Sequence, residues 1–395
     1  FAFGQQNAVT DISNSGYNAL IMWSVHVSST GTLALNNTQI VTNGKYAEAD
    51  TMNLPARLAT LHKAGIQIIF SVGSGGVNDY HHISGLLNGG VPGPGNALYD
   101  NFKALKDAMV AAGGDIDAID FDNEDYMDTP TMVNFGIMLG NIGYSSVAFC
   151  PYYTDPVWTD TYNQLLAAKG NSFVSAIHLQ CYSGGSNSNP QDWGPMIANA
   201  KGNTLLIPGL ATNQAAPGPW WDGDNNAPGG SVVKTPSVAM YGEGDWSGML
   251  WQGNFSSADE AMKNVKGGET FFFYCNGYLD LGPGKQFQKG DAVFFCGLPW
   301  WGSAPQCDAY SLSGGCSNIW DPYPMTGACP SDLQTQYATY AQAAAQPGGY
   351  PVNGGFIWMY DSITQCVLSN CCGEGGDTTE QIAAAYQQAI VNGLG

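Results

Sequence analysis

The chain is short of positive charge. Twelve lysines and arginines stand against 32 aspartates and glutamates, a formal net charge of −20, and Arg57 is the sole arginine. Proteins grip nucleic acid through Lys and Arg on phosphate, and anionic lipid surfaces are recognised in the same way, so neither partner is expected. Long apolar runs are also missing. None approaches the roughly 18 residues that a membrane-spanning helix requires, so no membrane is expected either. Metal-ligand spacings are absent as well: His81-His82 follow a Gly-rich loop without a helical histidine partner or a cysteine. Zinc is therefore not expected, nor is any other cofactor. Core-forming residues are not lacking. Hydrophobic types make up 44% of 395 residues, enough for one large barrel or two ordinary domains.

Ten cysteines, the sequons Asn36-Asn37-Thr38 and Asn254-Phe255-Ser256, and abundant Gly, Asn, Ser and Trp describe an exported protein. Phe1 reads as a processed or trimmed start. Eight cysteines fall between Cys275 and Cys372 and are expected to form disulfides, of which the sequence leaves the pairing open. Cys150 and Cys181 stand apart, on neighbouring apolar runs; with Tyr152 and Tyr182 both facing inward, Cys150 would point in and Cys181 out, and both are then expected as thiols. A secreted monomer is expected.

Apolar runs alternate with amphipathic segments. "FAFGQQ" at the start, then residues 19–27, 66–73, 118–124, 145–152, 175–182, 204–210 and 354–360 read as eight strands. Between them, Leu54, Leu58 and Leu61 mark one helix face, and Leu98, Phe102, Leu105 and Met109 another. Thr129-Pro130 signals a helix start with Thr as the cap. Residues 378–394 close the chain as a helix. Eight strands separated by helices, with polar residues gathering at the strand C-termini, describe an α/β protein of the (β/α)8 TIM-barrel type. One connection is too long. Residues 1–210 and 331–395 form the expected catalytic barrel, and residues 211–330 a disulfide-rich insertion between the seventh and eighth strands. Strand-like runs occur inside it at 270–276 and 292–297. The barrel helix after it is read from Ser331, with Gln334 completing a capping box.

The most unusual stretch is Asp-Ala-Ile-Asp-Phe-Asp-Asn-Glu-Asp, residues 117–125, with five carboxylates in nine positions. On a strand, Asp120, Asp122 and Glu124 share one face, opposite Ile119, Phe121 and Asn123. Three carboxylates about 7 Å apart along the strand in a barrel mouth cannot all ionise cheaply. Their protonation states must split, leaving one group that keeps a proton and another that stays charged, as a general acid needs. A calcium loop would require Gly at its sixth position, which this run lacks.

The spacing Asp117-x-x-Asp120-x-Asp122-x-Glu124 resembles the fourth-strand signature of glycoside hydrolase family 18, the chitinases and endo-β-N-acetylglucosaminidases. "SVGSGG" (71–76) resembles that family's third-strand element, with Ser74 in place of a glycine. Gln180-Cys181-Tyr182 is similar to its sixth-strand element, and Trp358 to its eighth-strand tryptophan. The Asp-Phe-Asp-Asn-Glu run is closer to the bacterial endo-β-N-acetylglucosaminidases. The resemblance implies a hydrolase that cleaves β-1,4 links at N-acetylglucosamine, in chitin or N-glycan cores, with retention and through an oxazolinium ion formed by the substrate's own acetamide. This family is an exception to the two-carboxylate scheme. It further implies Glu124 as acid and base, Asp122 orienting the acetamide, Asp120 tuning Asp122, and Tyr182 on the carbonyl oxygen. Trp358, Gln180, Ser71, Gly73 and Tyr152 would line the sugar site. His178, deeper on the face of Gln180 and Tyr182, is read as a core histidine.

The alternative is a chitinase-like lectin that binds N-acetylglucosamine glycans without turnover. Seven of eleven tryptophans lie in the insertion. Trp220-Trp221 and Trp300-Trp301 are flanked by Pro or Gly, as exposed turns are, and at least one of the four is expected to stack on sugar along a substrate groove.

Overall fold

Seven of the apolar runs pair side by side, all parallel, in the order in which the chain makes them. The computed structural model describes residues 7–36, 38–48, 53–182, 185, 188–212, 329–361, 363 and 378–395, together with the backbone of four further strands. After α1 (Ala8–Asn14) come β1 (Ala19–Val27), the short β2 (Leu33–Leu35), β3 (Thr38–Thr42) and β4 (Lys45–Tyr46), then α2 (Leu54–Lys63) and β5 (Gln67–Gly73). The chain continues through α3 (Asp79–Leu87), α4 (Ala97–Ala111), β6 (Ala118–Asp122), α5 (Thr129–Ile142), β7 (Ser146–Phe149), α6 (Pro156–Lys169), β8 (Val174–Gln180), α7 (Pro190–Ala200) and β9 (Leu205–Ala211). It ends with α8 (Pro330–Ala344), β14 (Phe356–Trp358) and α9 (Thr379–Leu394).

The sheet order is β14-β9-β8-β7-β6-β5-β1, extended beyond β1 by the antiparallel β2, β3 and β4. A doubly wound sheet reverses its direction of growth at a switch point, and this series never reverses. Its two ends also approach one another: the rings of Trp23 on β1 and Trp358 on β14 meet edge to face at 4.6 Å. The fold is α/β with a large, mostly parallel sheet, compatible with a (β/α)8 barrel. The expected first strand, at residues 1–6, lies outside the described residues.

The strand ends lie within three residues of the sequence expectation, the largest difference being β7, which stops at Phe149 and not at residue 152, and one difference is consequential. β6 stops at Asp122, so Glu124 belongs to the turn that follows and not to the strand. The reason is Asn123, whose Oδ1 accepts Tyr126 N–H at 3.1 Å and whose Nδ2 donates to Tyr126 O at 2.7 Å. This Asx-type turn takes the chain out of the strand. Two helix starts also move. Asp128, not Thr129, caps α5, its Oδ2 accepting Thr131 N–H at 2.9 Å. In α8 the cap is Cys329, whose N–H donates to Asp332 at 3.1 Å, and not Ser331 with Gln334.

All five residues of β6 are buried, as a strand covered on both faces must be. On the outer face, Phe121 stacks on Phe135 of α5 at 5.2 Å and on Phe149 of β7 at 5.8 Å. Phe149 in turn meets Trp158 of α6 at 5.2 Å. The predicted helix faces are in place: Leu54, Leu58 and Leu61, and Leu98, Phe102, Leu105 and Met109, are each at most 1% exposed.

The chain divides into two units, one of Phe1–Thr212, Ala328–Asp361 and Asp377–Gly395, the other of Asn213–Gly327 and Ser362–Gly376. In the second, β10 (Ala239–Gly242), β11 (Phe271–Tyr274), β12 (Ala292–Cys296) and β13 (Cys307–Ser311) form a four-stranded sheet in sequence order, with β11 and β12 parallel and the outer pairs antiparallel. β11 and β12 are the two strand-like runs read from the sequence; β10 and β13 carry weaker apolar signals and were not foreseen. Cys329 is disulfide-bonded. The other expected disulfide cysteines, Trp220, Trp221, Trp300, Trp301 and the Asn254 sequon have side chains outside the described residues. Asn36 of the first sequon is half-buried, its Nδ2 donating to Trp23 O at 3.3 Å.

Candidate active site

The acidic stretch enters the sheet at its centre, between β5 and β7, and its carboxylates are met from three strands. Asp120 is 0% exposed. Its Oδ2 accepts the Ser71 hydroxyl from β5 at 3.0 Å, and its Oδ1 lies 2.9 Å from His178 Nδ1 on β8. With Asp120 ionised, that contact requires the imidazole proton on Nδ1. Asp122, 2% exposed, accepts Trp23 Nε1–H from β1 at 2.8 Å and Gln180 Nε2–H from β8 at 3.0 Å. The same Gln180 amide also approaches Glu124 Oε1 at 3.3 Å and the Cys150 carbonyl at 3.0 Å. One amide thus holds both carboxyls against the end of β7.

Asp122 and Glu124 are joined by a side-chain hydrogen bond. Burial pushes the Asp122 carboxyl well above the usual range; the neighbouring Glu124 charge adds to this, the Trp23 hydrogen bond opposes it, and Asp120 adds further. Burial also raises Glu124, against the hydrogen bonds from Gln180 and Asp122 and with help from the Asp125 charge. Both groups therefore hold a proton more tightly than free carboxyls do. They differ in access, since Asp122 is buried and Glu124 lies partly open in the turn.

The floor is aromatic. Tyr182, 8% exposed, stacks on Trp358 with centroids 5.6 Å apart and planes 12° off parallel. Trp358 meets Trp23, and Trp23 holds Asp122. Tyr152, past the end of β7, is half-buried and pairs with Tyr153 at 4.7 Å.

Two glycines allow the carboxylates to sit where they do. Gly73 has φ +112°, and a Cβ there would stand 2.2 Å from the Asp122 carbonyl oxygen. A Cβ on Gly75 would stand 2.9 Å from Glu124 Oε2.

The structure thus gathers Asp120, Asp122, Glu124, Gln180, Tyr182 and Trp358 in one place. Two residues expected to line the sugar site act differently. Ser71 is 1% exposed and spends its hydroxyl on Asp120, while Gly73 permits the close approach of β5 to β6. His178 is buried in the core, as expected, but on Asp120. Trp23 was not foreseen, although its place in the apolar run 19–27 carries the signal: an indole in a strand interior must find an acceptor for its N–H. Cys150 and Cys181 are buried free thiols. Cys150 is raised by burial and by Asp120, Asp122 and Glu124, so it faces in. Cys181 is pushed up to about 11 by burial and is hydrogen-bonded to Tyr340 of α8, so it faces out. Among the described residues no cluster of three or more His, Cys, Asp or Glu is arranged to hold a metal.

No family model matches the chain, and no curated protein matches it. Solved structures similar to it include a chitinase from Rhizomucor miehei, at 12% identity and a TM-score of 0.40, covering 94% of this chain and 93% of that one. Another is the spore cortex-lytic enzyme of Bacillus cereus, at 11% identity and a TM-score of 0.33, covering 51% of this chain and 45% of that one. Likenesses this distant say nothing of the chemistry, which the side chains must carry.

Proposed function

We propose that the protein is a retaining glycoside hydrolase cleaving β-1,4 links at N-acetylglucosamine, in chitin or in the core of N-glycans. The observation that supports this reading most is the hydrogen-bonded pair Asp122–Glu124, one carboxyl buried and one partly open, beside the Tyr182–Trp358 stack. A pyranose ring presents apolar C–H groups to such a stack. In this reading Glu124 protonates the glycosidic oxygen as the bond to the anomeric carbon breaks. The substrate's acetamide oxygen attacks that carbon from the other side and gives an oxazolinium ion. Asp122 holds the acetamide N–H and offsets the positive charge that develops there. Glu124, now ionised, takes a proton from the incoming water, whose oxygen opens the ring and restores the configuration.

Asp122 suits its role because it already shares a hydrogen bond with Glu124. Movement of one proton along that contact changes which carboxyl is charged without separating charge in a dry site. Export remains part of the proposal, resting on the cysteine content. The insertion tryptophans remain proposed groove residues.

The test is direct. Chitin oligomers and a high-mannose glycoprotein are each incubated with the protein, and released sugar is measured. Release from the oligomers assigns chitin, and release from the glycoprotein assigns the N-glycan core. Tight binding without release from either would give the site to a lectin and end the hydrolase reading.

A further inference from the structure

The turn after β6 carries one more carboxylate that the mechanism does not use. Asp125 is exposed, and a solvated charge there would ordinarily need no explanation. This one is tied down: its Oδ2 accepts Val77 N–H at 2.8 Å, from the loop of residues 74–78 that joins β5 to α3. That loop is in contact with the acid, since the Cβ position of Gly75 falls 2.9 Å from Glu124 Oε2. Its far end is anchored at Asp79, whose Oδ1 accepts Val27 N–H and whose Oδ2 meets His26 Nδ1, both at 2.8 Å. The loop is thus fixed to β1 at one end and cross-tied at its middle to the residue next to the acid.

We propose that Asp125 is a positioning residue for Glu124, fastening the loop that walls one side of the acid and setting a negative charge beside it. The proposal rests on Glu124 being the acid. It gives Asp125 two separable contributions, one made by its oxygen as an acceptor and the other by its charge. The groups facing Glu124 are Asp122 from β6, with Asp120 behind it, Cys150 and Tyr152 from the end of β7, and the neutral Gln180 amide of β8. Behind Asp120 stands His178, the one member of this set that can carry positive charge. Charge added or removed at Asp125 therefore acts on Glu124 directly, against a surround whose thiol, phenol and amide are neutral.

The chain has only seven glutamates, so their carboxyl carbons can be followed by ¹³C NMR in glutamate-labelled protein, with Glu124 assigned by its loss in Glu124→Gln. Asp125→Asn keeps an acceptor and removes the charge. It should lower the Glu124 titration midpoint, by an amount that shrinks as salt is added, and leave the Val77 amide protected from exchange. Asp125→Ala should lower the midpoint and also speed Val77 exchange about tenfold or more, the loss of one charge-assisted hydrogen bond. An unmoved midpoint in Asp125→Asn at low salt, or unchanged Val77 exchange in Asp125→Ala, overturns the proposal. Both readouts are taken without substrate, so a protein that hydrolyses nothing would end the hydrolase reading and still leave this test standing.

Discussion

The two faces of β6 follow opposite rules. Outward, Phe121 lies in an aromatic layer with Phe135, Phe149 and Trp158, where contact area and dispersion stabilise the fold and even the Trp158 indole N–H is buried without a hydrogen-bond partner. Inward, one residue away on either side, Asp120 and Asp122 are as deeply buried, but each is held by hydrogen bonds from other strands, and burial makes the Asp122 carboxyl costly to ionise. The outer layer stabilises the sheet; the inner one draws on that stability to keep Asp122 and Glu124 holding their protons more tightly than free carboxyls. A substitution should therefore damage stability on one face and chemistry on the other.

The largest effect expected from this contrast is on the inner side. Glu124→Gln should reduce hydrolysis by about a thousandfold or more while the far-UV circular dichroism is unchanged, because it removes the donated proton and keeps the shape. Turnover above a few per cent of wild type would show that the acid is another group. Next comes the outer face, where Phe121→Ala should lower unfolding stability by about 3–5 kcal/mol through a cavity between the sheet and α5. Measured below its unfolding transition, the variant should retain most of its kcat. If kcat collapses in folded Phe121→Ala, the two faces are not separable.

His178 sharpens the contrast, since it is a core residue that belongs to the inner set. Its contact with Asp120 at 2.9 Å is one of two that hold that carboxylate. His178→Leu should lower kcat by about tenfold to a hundredfold with little change in KM, less than the loss of a donor touching the transition state itself. His178→Asn, which can offer an amide N–H near the Nδ1 position, should recover part of the loss. Equal kcat in the two variants would make His178 a packing residue after all.

What the sequence made legible is decided by range. The apolar runs and the Asp-x-x-Asp-x-Asp-x-Glu spacing are local signals, and they placed β5 through β9, β14 and the carboxylates. The donors that decide how those carboxylates behave are not local. Trp23, Ser71, His178 and Gln180 come from three strands, and only strand pairing brings Trp23 to Asp122, 99 positions away. Errors at element ends have a similar cause. Asp128 and Thr129 are both good caps, and the period-2 alternation runs on past Asp122 because it cannot see the turn that Asn123 makes. The β2–β4 extension escaped notice because its strands are five residues or shorter and pair antiparallel through turns at Asn36 and Asn43-Gly44, which have positive φ.

The smallest expected effect is the most diagnostic of the cost carried by the inner face, because it asks for a gain. Glu124 has a raised pKa in the folded protein, so the native state binds that proton more tightly than the unfolded chain does. Below the ordinary glutamate range both states are protonated, and the group takes nothing from stability. As pH rises through that range toward the raised native value, the unfolded chain ionises first and the native state loses stability relative to it. Glutamine cannot ionise, so Glu124→Gln escapes this loss. At pH 7 the variant should melt about 1–3 °C above wild type, the scale of a kilocalorie-sized change in a chain this long. The difference should close as pH is lowered to about 4, the wild-type curve rising to meet the variant. A Tm difference that stays constant across that pH range would mean that the acid is not under strain in the native state, and that the inner face costs the fold no more than the outer.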